Sequence, residues 1–387
     1  MTATPGGTSE GPRRPLFDPP LRLVQPPRPV SPETVVHRLL GVLESGLVKC
    51  GNQWTTLLEQ ELRLRAKVDE SRELVLTVSG TVALRLAALA LAHGRRRPHR
   101  RSTAVLPSFT FAATGEFLRQ LDYDLLFCDV DTKTWTLDPQ RLEDILRARR
   151  VDLVVSVDAL GHPADYPALT RLCGEAGVPL LADSAPALGA YTGGMPVGTQ
   201  ADAHAFSLSM AKVVSAAGAG GFAVLPAGSR DRLGRGANWI RSSLMTEPNA
   251  VVALDQLPHI DAMLARRSAV AAVYDDFANT TPGVIAQHVR TGDRHSWVHW
   301  VMRCPPPYAR DEIAERMHRL GIETKPYYAP PLHRLLGETA IPAAPLPVTE
   351  TLAREVLALP MSSEMSVADA ERVVAGLRDV LADLKGG

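Results

Sequence analysis

An excess of charge of one sign is the first thing this sequence lacks. Lys and Arg number 42 against 42 Asp and Glu in 387 residues. No long-range field therefore draws the surface to nucleic acid or to an anionic membrane. No uninterrupted apolar run reaches the ~18–20 residues that would span a bilayer. The opening stretch MTATPGGTSEGPRRP carries no apolar segment behind its charges, so no secretory signal is expected there. Cysteine is scarce: Cys50, Cys128, Cys173 and Cys304 are scattered and form no CxxC pair. That argues against a disulfide framework and a structural zinc site, predicts no metal, and fits a reducing cytoplasm. Each cysteine reads as a small buried hydrophobe rather than a nucleophile. The one basic run, Arg95-Arg96-Arg97-Pro98-His99-Arg100-Arg101, has no interleaved aromatic residues. It reads as a solvated connecting loop rather than a phosphate- or nucleic-acid-binding patch.

What is present is enough chain for one large core and a smaller second one. Residues 1–30, rich in Pro, Gly and Arg, have no helical or strand period and read as a flexible tail or extended arm. Helical spacing begins at Pro32–Leu43, and a second helix is expected over Trp54–Arg65. Beyond Val78, short apolar strands alternate with helices. The strands are TAVLPS (103–108), LLFCDV (125–130), DLVVSVDAL (152–160), VPLLADS (178–184) and HAFSLS (204–209), with helices at Pro139–Ala148 and Pro167–Ala176. This alternation predicts a largely parallel α/β sheet. A long helical stretch is expected near Pro248–Asp276, followed by a smaller C-terminal α+β unit. The division is thus a tail over 1–30, a large α/β domain over 31–247, and an interdomain helix with a small domain over 248–387.

Four segments carry chemistry. Ser79-Gly80-Thr81 follows the apolar strand Leu74–Val78 and opens an Ala/Leu-rich helix, where free N–H groups and two hydroxyls could meet a phosphate. The same residues could simply cap the helix. Asp183 ends the strand VPLLA, where burying a carboxylate is costly without a partner. A protonated ring nitrogen would be one, and a helix cap or buried hydrogen bond would be another. Lys212 closes Phe206-Ser207-Leu208-Ser209-Met210-Ala211-Lys212 at the end of an apolar strand. A desolvated lysine there has a lowered pKa and can form a Schiff base, whereas an isolated one would snorkel to the surface. Ser207 could bind the same phosphate, and Gly218, Gly220 and Gly221 give a flexible turn after the lysine. One of Phe109 and Phe111 could stack on a ring, and either could be core. A pyridoxal phosphate (PLP) site needs a phosphate cradle, a carboxylate for the pyridine nitrogen, a lysine for the aldehyde and an aromatic face. There is a candidate for each, mostly at strand ends, where open α/β sheets place their ligands.

In this order the segments resemble the DegT/StrS family of PLP-dependent sugar aminotransferases, from about residue 32 to the C-terminus. SGTVAL (79–84), LPSFTFAAT (106–114), DVDTKTWTLDP (129–139), GHPADYPAL (161–169), FSLSMAK (206–212), GIETKPYYAPPLH (321–333) and LAREVLALPM (352–361) are each similar to a family motif. The resemblance implies the type I aminotransferase fold, a large domain with a mostly parallel seven-stranded sheet and a smaller C-terminal domain. It implies that Lys212 holds PLP and then shuttles the proton, that Asp183 pairs with the pyridinium nitrogen, and that Phe111 rather than Phe109 stacks on the ring. Ser79, Gly80, Thr81 and Ser207 would hold the phosphate. Lys325, Tyr327, Tyr328 and His333 lie where the family approaches its substrate, while Trp297 and His299 read as core or rim. A homodimer with the active site at the interface follows, with glutamate or glutamine as amino donor and a nucleotide-linked keto-sugar as acceptor. A PLP-dependent dehydratase and a catalytically silent binding protein are the rival readings. Three positions depart from the family: Pro186 replaces a polar residue that meets the cofactor's ring hydroxyl, Ala219 replaces an acidic residue in the glycine turn, and Ser242 stands where a partner-subunit Asn is usual, with Asn238 nearby out of register.

Overall fold

The computed structural model describes residues 15–92, 101–234, 240, 242–304, 306, 308–337 and 340–386. Most of the basic run and Asn238 lie outside the described residues. Two helices lead in, α1 (Pro32–Ser45) and α2 (Gln53–Arg65). Then come β1 (Arg72–Thr77), α3 (Gly80–Ala92), β2 (Ser102–Pro107), α4 (Ala113–Gln120), β3 (Tyr123–Cys128), α5 (Pro139–Ala148), β4 (Leu153–Val157), α6 (Tyr166–Ala176) and β5 (Leu180–Asp183). A small hairpin, β6 (Tyr191–Thr192) and β7 (Met195–Pro196), precedes β8 (Ala203–Ser207) and β9 (Gly221–Pro226). All of the expected strands form, within a few residues of their predicted limits.

The sheet runs β1-β9-β8-β5-β4-β2-β3 and is parallel except for β9, which is antiparallel to both its neighbours. Each strand sends alternate residues to opposite faces. Val154 and Ala182 join a core under α2, α5 and α6, while Val155 and Leu181 join one under α3 and α4. Burial on both faces is why these strands read as largely apolar runs.

The C-terminal unit has its own antiparallel sheet, β10 (Ile285–Ala286), β11 (Trp300–Arg303) and β13 (Val356–Leu359), packed on the helices Ile260–Thr280 and Val367–Gly386. The helical stretch expected over Pro248–Asp276 is two helices, Glu247–Gln256 and Ile260–Thr280, divided by a tight 3₁₀ turn at Leu257–His259. Pro258 lacks the N–H that a continuous helix would need there.

Two features add to the sequence expectation. The seven expected strands are joined by an eighth at the sheet edge, β12 (Ala340–Pro342) from the C-terminal unit, which pairs in parallel with β3. Beside it, the buried Asp129 carboxylate accepts the backbone N–H groups of Val348 and Thr349, both at 2.9 Å, and the Thr349 hydroxyl at 2.7 Å. The second concerns the described part of the tail, which takes the extended-arm form of the two readings. Its residues from Leu16 onward lie along the C-terminal unit, with Leu16 N–H donating to the Leu320 carbonyl and Leu21 N–H to that of Gly321. Phe17, Leu21 and Leu23 are buried there, so the apolar residues scattered among the prolines anchor an arm.

Candidate active site

The C-terminal ends of β1, β4, β5 and β8 open on one cavity of about 400 Å³. Its lining includes Ser79, Gly80, Thr81, Phe111, Asp183, Ser207, Lys212, Lys325, Tyr327 and Tyr328. Ten of the eleven residues singled out from sequence therefore meet at one place.

The exception is His333. Its backbone N–H donates to Ser108 Oγ at 2.9 Å, and its Nδ1 is 2.6 Å from the same oxygen. Its Nε2 lies 3.0 Å from Glu350 Oε1. All its polar atoms are used in fastening the C-terminal unit to the end of β2, and it does not line the cavity.

At one end of the cavity the β1–α3 turn abuts the end of β8. A Cβ added to Gly80 would come within 2.8 Å of Ser207 Cβ, and one added to Gly221 within 2.7 Å of Gly80 N. Both positions need glycine because the two backbones touch. The contact brings the Ser207 side chain against the first turn of α3, whose N–H groups have no intrahelical acceptors. Ser79 also caps this helix, its Oγ accepting from the Val82 N–H at 3.3 Å. The cap and the anion cradle are the same turn.

Asp183 is buried at the end of β5. One carboxylate oxygen accepts from Thr114 Oγ1 at 2.7 Å and the other from the Ala185 N–H at 3.2 Å. Thr110 in turn lies 2.9 Å from Thr114, and since Thr114 donates to Asp183, Thr110 donates to Thr114. Burial raises the carboxyl pKa, while Thr114, the Ala185 N–H and Lys212 act against that rise. A cation brought to this carboxylate would be held strongly. Across the cavity, burial lowers the Lys212 ammonium to about 8, with Asp183 opposing and Arg267 adding to the fall.

The two phenylalanines separate. Phe109 is fully buried, edge-on to Trp135 at 6.3 Å and to Tyr328 at 5.1 Å. Phe111 is 62% exposed at the cavity, an apolar face with nothing yet against it. The cradle, the buried carboxylate, the lysine and the open ring face together fit a phosphorylated pyridine aldehyde.

Pro186 and Ala219 also line the cavity, and neither brings a polar side chain. The turn carrying Ala219 is held by Asn249, whose amide donates to the Ala216 and Ala219 carbonyls at 2.8 and 3.3 Å. One site residue went unread in the sequence and another carried a different reading. Thr114 sits inside a recognised motif, but nothing in the spacing marks which threonine reaches the carboxylate. His299, which reads as core or rim, precedes β11 and lines the cavity.

The sequence profile of the DegT/DnrJ/EryC1/StrS aminotransferase family matches residues 31–233 and 236–378. The chain belongs to this family. It is 30% identical over 327 residues, 80% of this chain and 86% of the relative, to the erythromycin biosynthesis sensory transduction protein EryC1 of Saccharopolyspora erythraea. It is likewise 30% identical, over 79% of this chain and 84% of the relative, to a dTDP-3-amino-3,4,6-trideoxy-alpha-D-glucose transaminase of Micromonospora megalomicea. The solved structure of DesI in the presence of its TDP-sugar product superposes with a TM-score of 0.82 at 28% identity, covering 94% of this chain and 93% of that one. The fold is therefore that of the PLP aminotransferases, as expected from the motifs.

Proposed function

We infer that this family member is a PLP-dependent aminotransferase that moves an amino group from glutamate or glutamine to a keto-sugar carried on a nucleoside diphosphate. The observation that carries this reading is the pair formed by Lys212 and Asp183, a half-buried amine and a buried carboxylate lining one cavity. PLP, when bound, supplies the electron sink that lets a proton leave the carbon bearing the amino group. Everything else falls to the chain. Lys212 Nζ would hold the cofactor's aldehyde carbon and, once displaced by an amino donor, carry the proton between substrate and cofactor. Asp183 would keep the ring nitrogen protonated, with its own orientation set by Thr114. Phe111 would cover one ring face. Ser79, Gly80, Thr81 and Ser207 would bind the phosphate at the start of α3.

Lys325, Tyr327 and Tyr328 also line the cavity, and they would face the sugar nucleotide. The Lys325 ammonium lies 5.1 Å from the centre of the Tyr327 ring, a fixed cation suited to a diphosphate. Glutamate added to PLP-loaded protein is expected to bleach the visible band as the amino group is handed over. A nucleotide keto-sugar should then restore it. A band that glutamate leaves unchanged would support the silent binding reading instead.

A homodimer belongs to the same reading. Helix α1 buries Val35 and Val42 against the large domain, yet Val36, Leu40 and Leu43 on its outer side are 56%, 52% and 64% exposed. An apolar stripe on the outer face of a surface helix marks an interaction surface. The expected result of Leu40→Asp is a shift from dimer to monomer in sedimentation velocity, because a charge would be buried at the centre of the stripe. An unchanged sedimentation coefficient would remove α1 from the interface. The four unpaired thiols fit a cytoplasmic setting.

A further inference from the structure

The bound cofactor would present one more polar group, the ring hydroxyl on the carbon next to the aldehyde. Asp183 occupies the ring nitrogen, Lys212 the aldehyde and the α3 turn the phosphate. The loop after Asp183 offers the cavity no side-chain donor: Ser184 is buried away from it with its Oγ 2.9 Å from His204 Nδ1, Ala185 and Pro186 lack polar side chains, and the Pro186 carbonyl accepts from Ser296 Oγ at 2.6 Å.

That last bond pins a second segment against this loop. Three residues beyond Ser296 stands His299, whose backbone N–H donates to the Leu160 carbonyl at 3.2 Å. His299 is 7% exposed and lines the cavity together with Ala185, Pro186 and Lys212. Its ring packs on that of Tyr327 at 4.5 Å. Its Nδ1 is buried with no hydrogen-bond partner among the described residues. A buried ring nitrogen without a partner leaves the imidazole's hydrogen-bonding capacity unspent. Burial and then the Lys212 charge hold the imidazole well below its usual pKa, so it is neutral and has one N–H to give. The rival donor is Tyr328, which lines the same cavity.

We propose that His299 donates the hydrogen bond to the ring hydroxyl of bound PLP that the proline at position 186 does not provide. This rests on PLP being held by Lys212. The role is one of positioning and electronic tuning. A donor to this oxygen stabilises the ring anion left when the nitrogen joining cofactor and Lys212 loses its proton. It therefore lowers the pKa of that nitrogen.

The test is a spectrophotometric pH titration of the PLP-loaded protein as wild type, His299→Phe and His299→Gln. The midpoint of the visible band is expected to rise by about one pH unit in His299→Phe, the size of one hydrogen bond to a charged group. His299→Gln, which keeps an N–H donor, should stay close to wild type. Pro186→Gln in the His299→Phe background should recover part of the shift. An unmoved midpoint in His299→Phe overturns the proposal, as does the same shift appearing in Tyr328→Phe instead. If His299→Phe holds no PLP, the wild type decides. A PLP analogue lacking the ring hydroxyl should bind it about tenfold more weakly than PLP, and equal binding overturns the proposal. A wild type with no visible band at all would sink the Lys212 reading itself, a separate result from either.

Discussion

Lys212→Ala is expected to abolish the yellow absorbance of the PLP-loaded protein and to lower turnover by about four orders of magnitude. The reason lies in the state of the amine. With its pKa lowered to about 8 by burial, Lys212 is about one-quarter neutral at pH 7.5, where an ordinary lysine would be neutral about 0.1% of the time. Only the neutral amine attacks an aldehyde, so the cavity prepares this one side chain as a nucleophile. The residue sits in the loop after β8, with its N–H donating to the Ser209 carbonyl, and alanine keeps that backbone bond. The variant is therefore expected to fold with a wild-type circular dichroism spectrum. Added methylamine should restore a fraction of the activity, since it fits the space the side chain leaves. A variant that remained yellow and active would end the assignment of Lys212.

Asp183→Asn comes next in size: an expected loss of about 10²–10⁴-fold in turnover with stability little changed. Removing one partner of a buried, hydrogen-bonded charge pair costs about 3–5 kcal/mol, and each 1.36 kcal/mol on the barrier is tenfold in rate. Asparagine cannot keep a pyridine nitrogen protonated, so the ring draws electrons less strongly. The fold tolerates the change because the amide oxygen can still accept from Thr114 Oγ1, and the carboxylate's desolvation disappears. Steady-state kinetics beside a thermal melt separate the two effects. Turnover within about threefold of wild type would remove the pairing, since even one hydrogen bond to a charge is worth more.

The large domain was legible because both faces of its sheet are covered. Strands such as Leu153–Val157 then carry a single polar residue, Ser156, and the helices between them alternate on schedule. The eighth strand was not legible: Ala340–Pro342 is three residues long, and only its contact with β3 makes it a strand. The arm around Phe17 was hidden for a similar reason, because three anchoring apolar residues among prolines have no period. In the site, the lysine, the carboxylate and the α3 turn stood out as polar groups where an apolar strand ends. His333 stood out equally and proved to be a fastening, since local pattern cannot tell a side chain aimed at a cavity from one aimed at a neighbouring helix. His299 carried the opposite error: a histidine amid Trp297, Val298 and Trp300 reads as core, and only its missing hydrogen bond marks it.

Asp129 has a further consequence, for motion. Its carboxylate takes three donors from the segment at Val348 and Thr349, while β12 lies in register with β3 and His333 bridges Ser108 to Glu350. A hinge that swung the C-terminal unit away would break these together, at about 1.5–3 kcal/mol for each bond to the charged carboxylate. These contacts tie the two lobes together along this seam, so access to the cavity is expected to depend on the side chains that line it. Ligands would be sorted there by the reorientation of Phe111, Lys325 and Tyr327, not by the opening and shutting of a jaw.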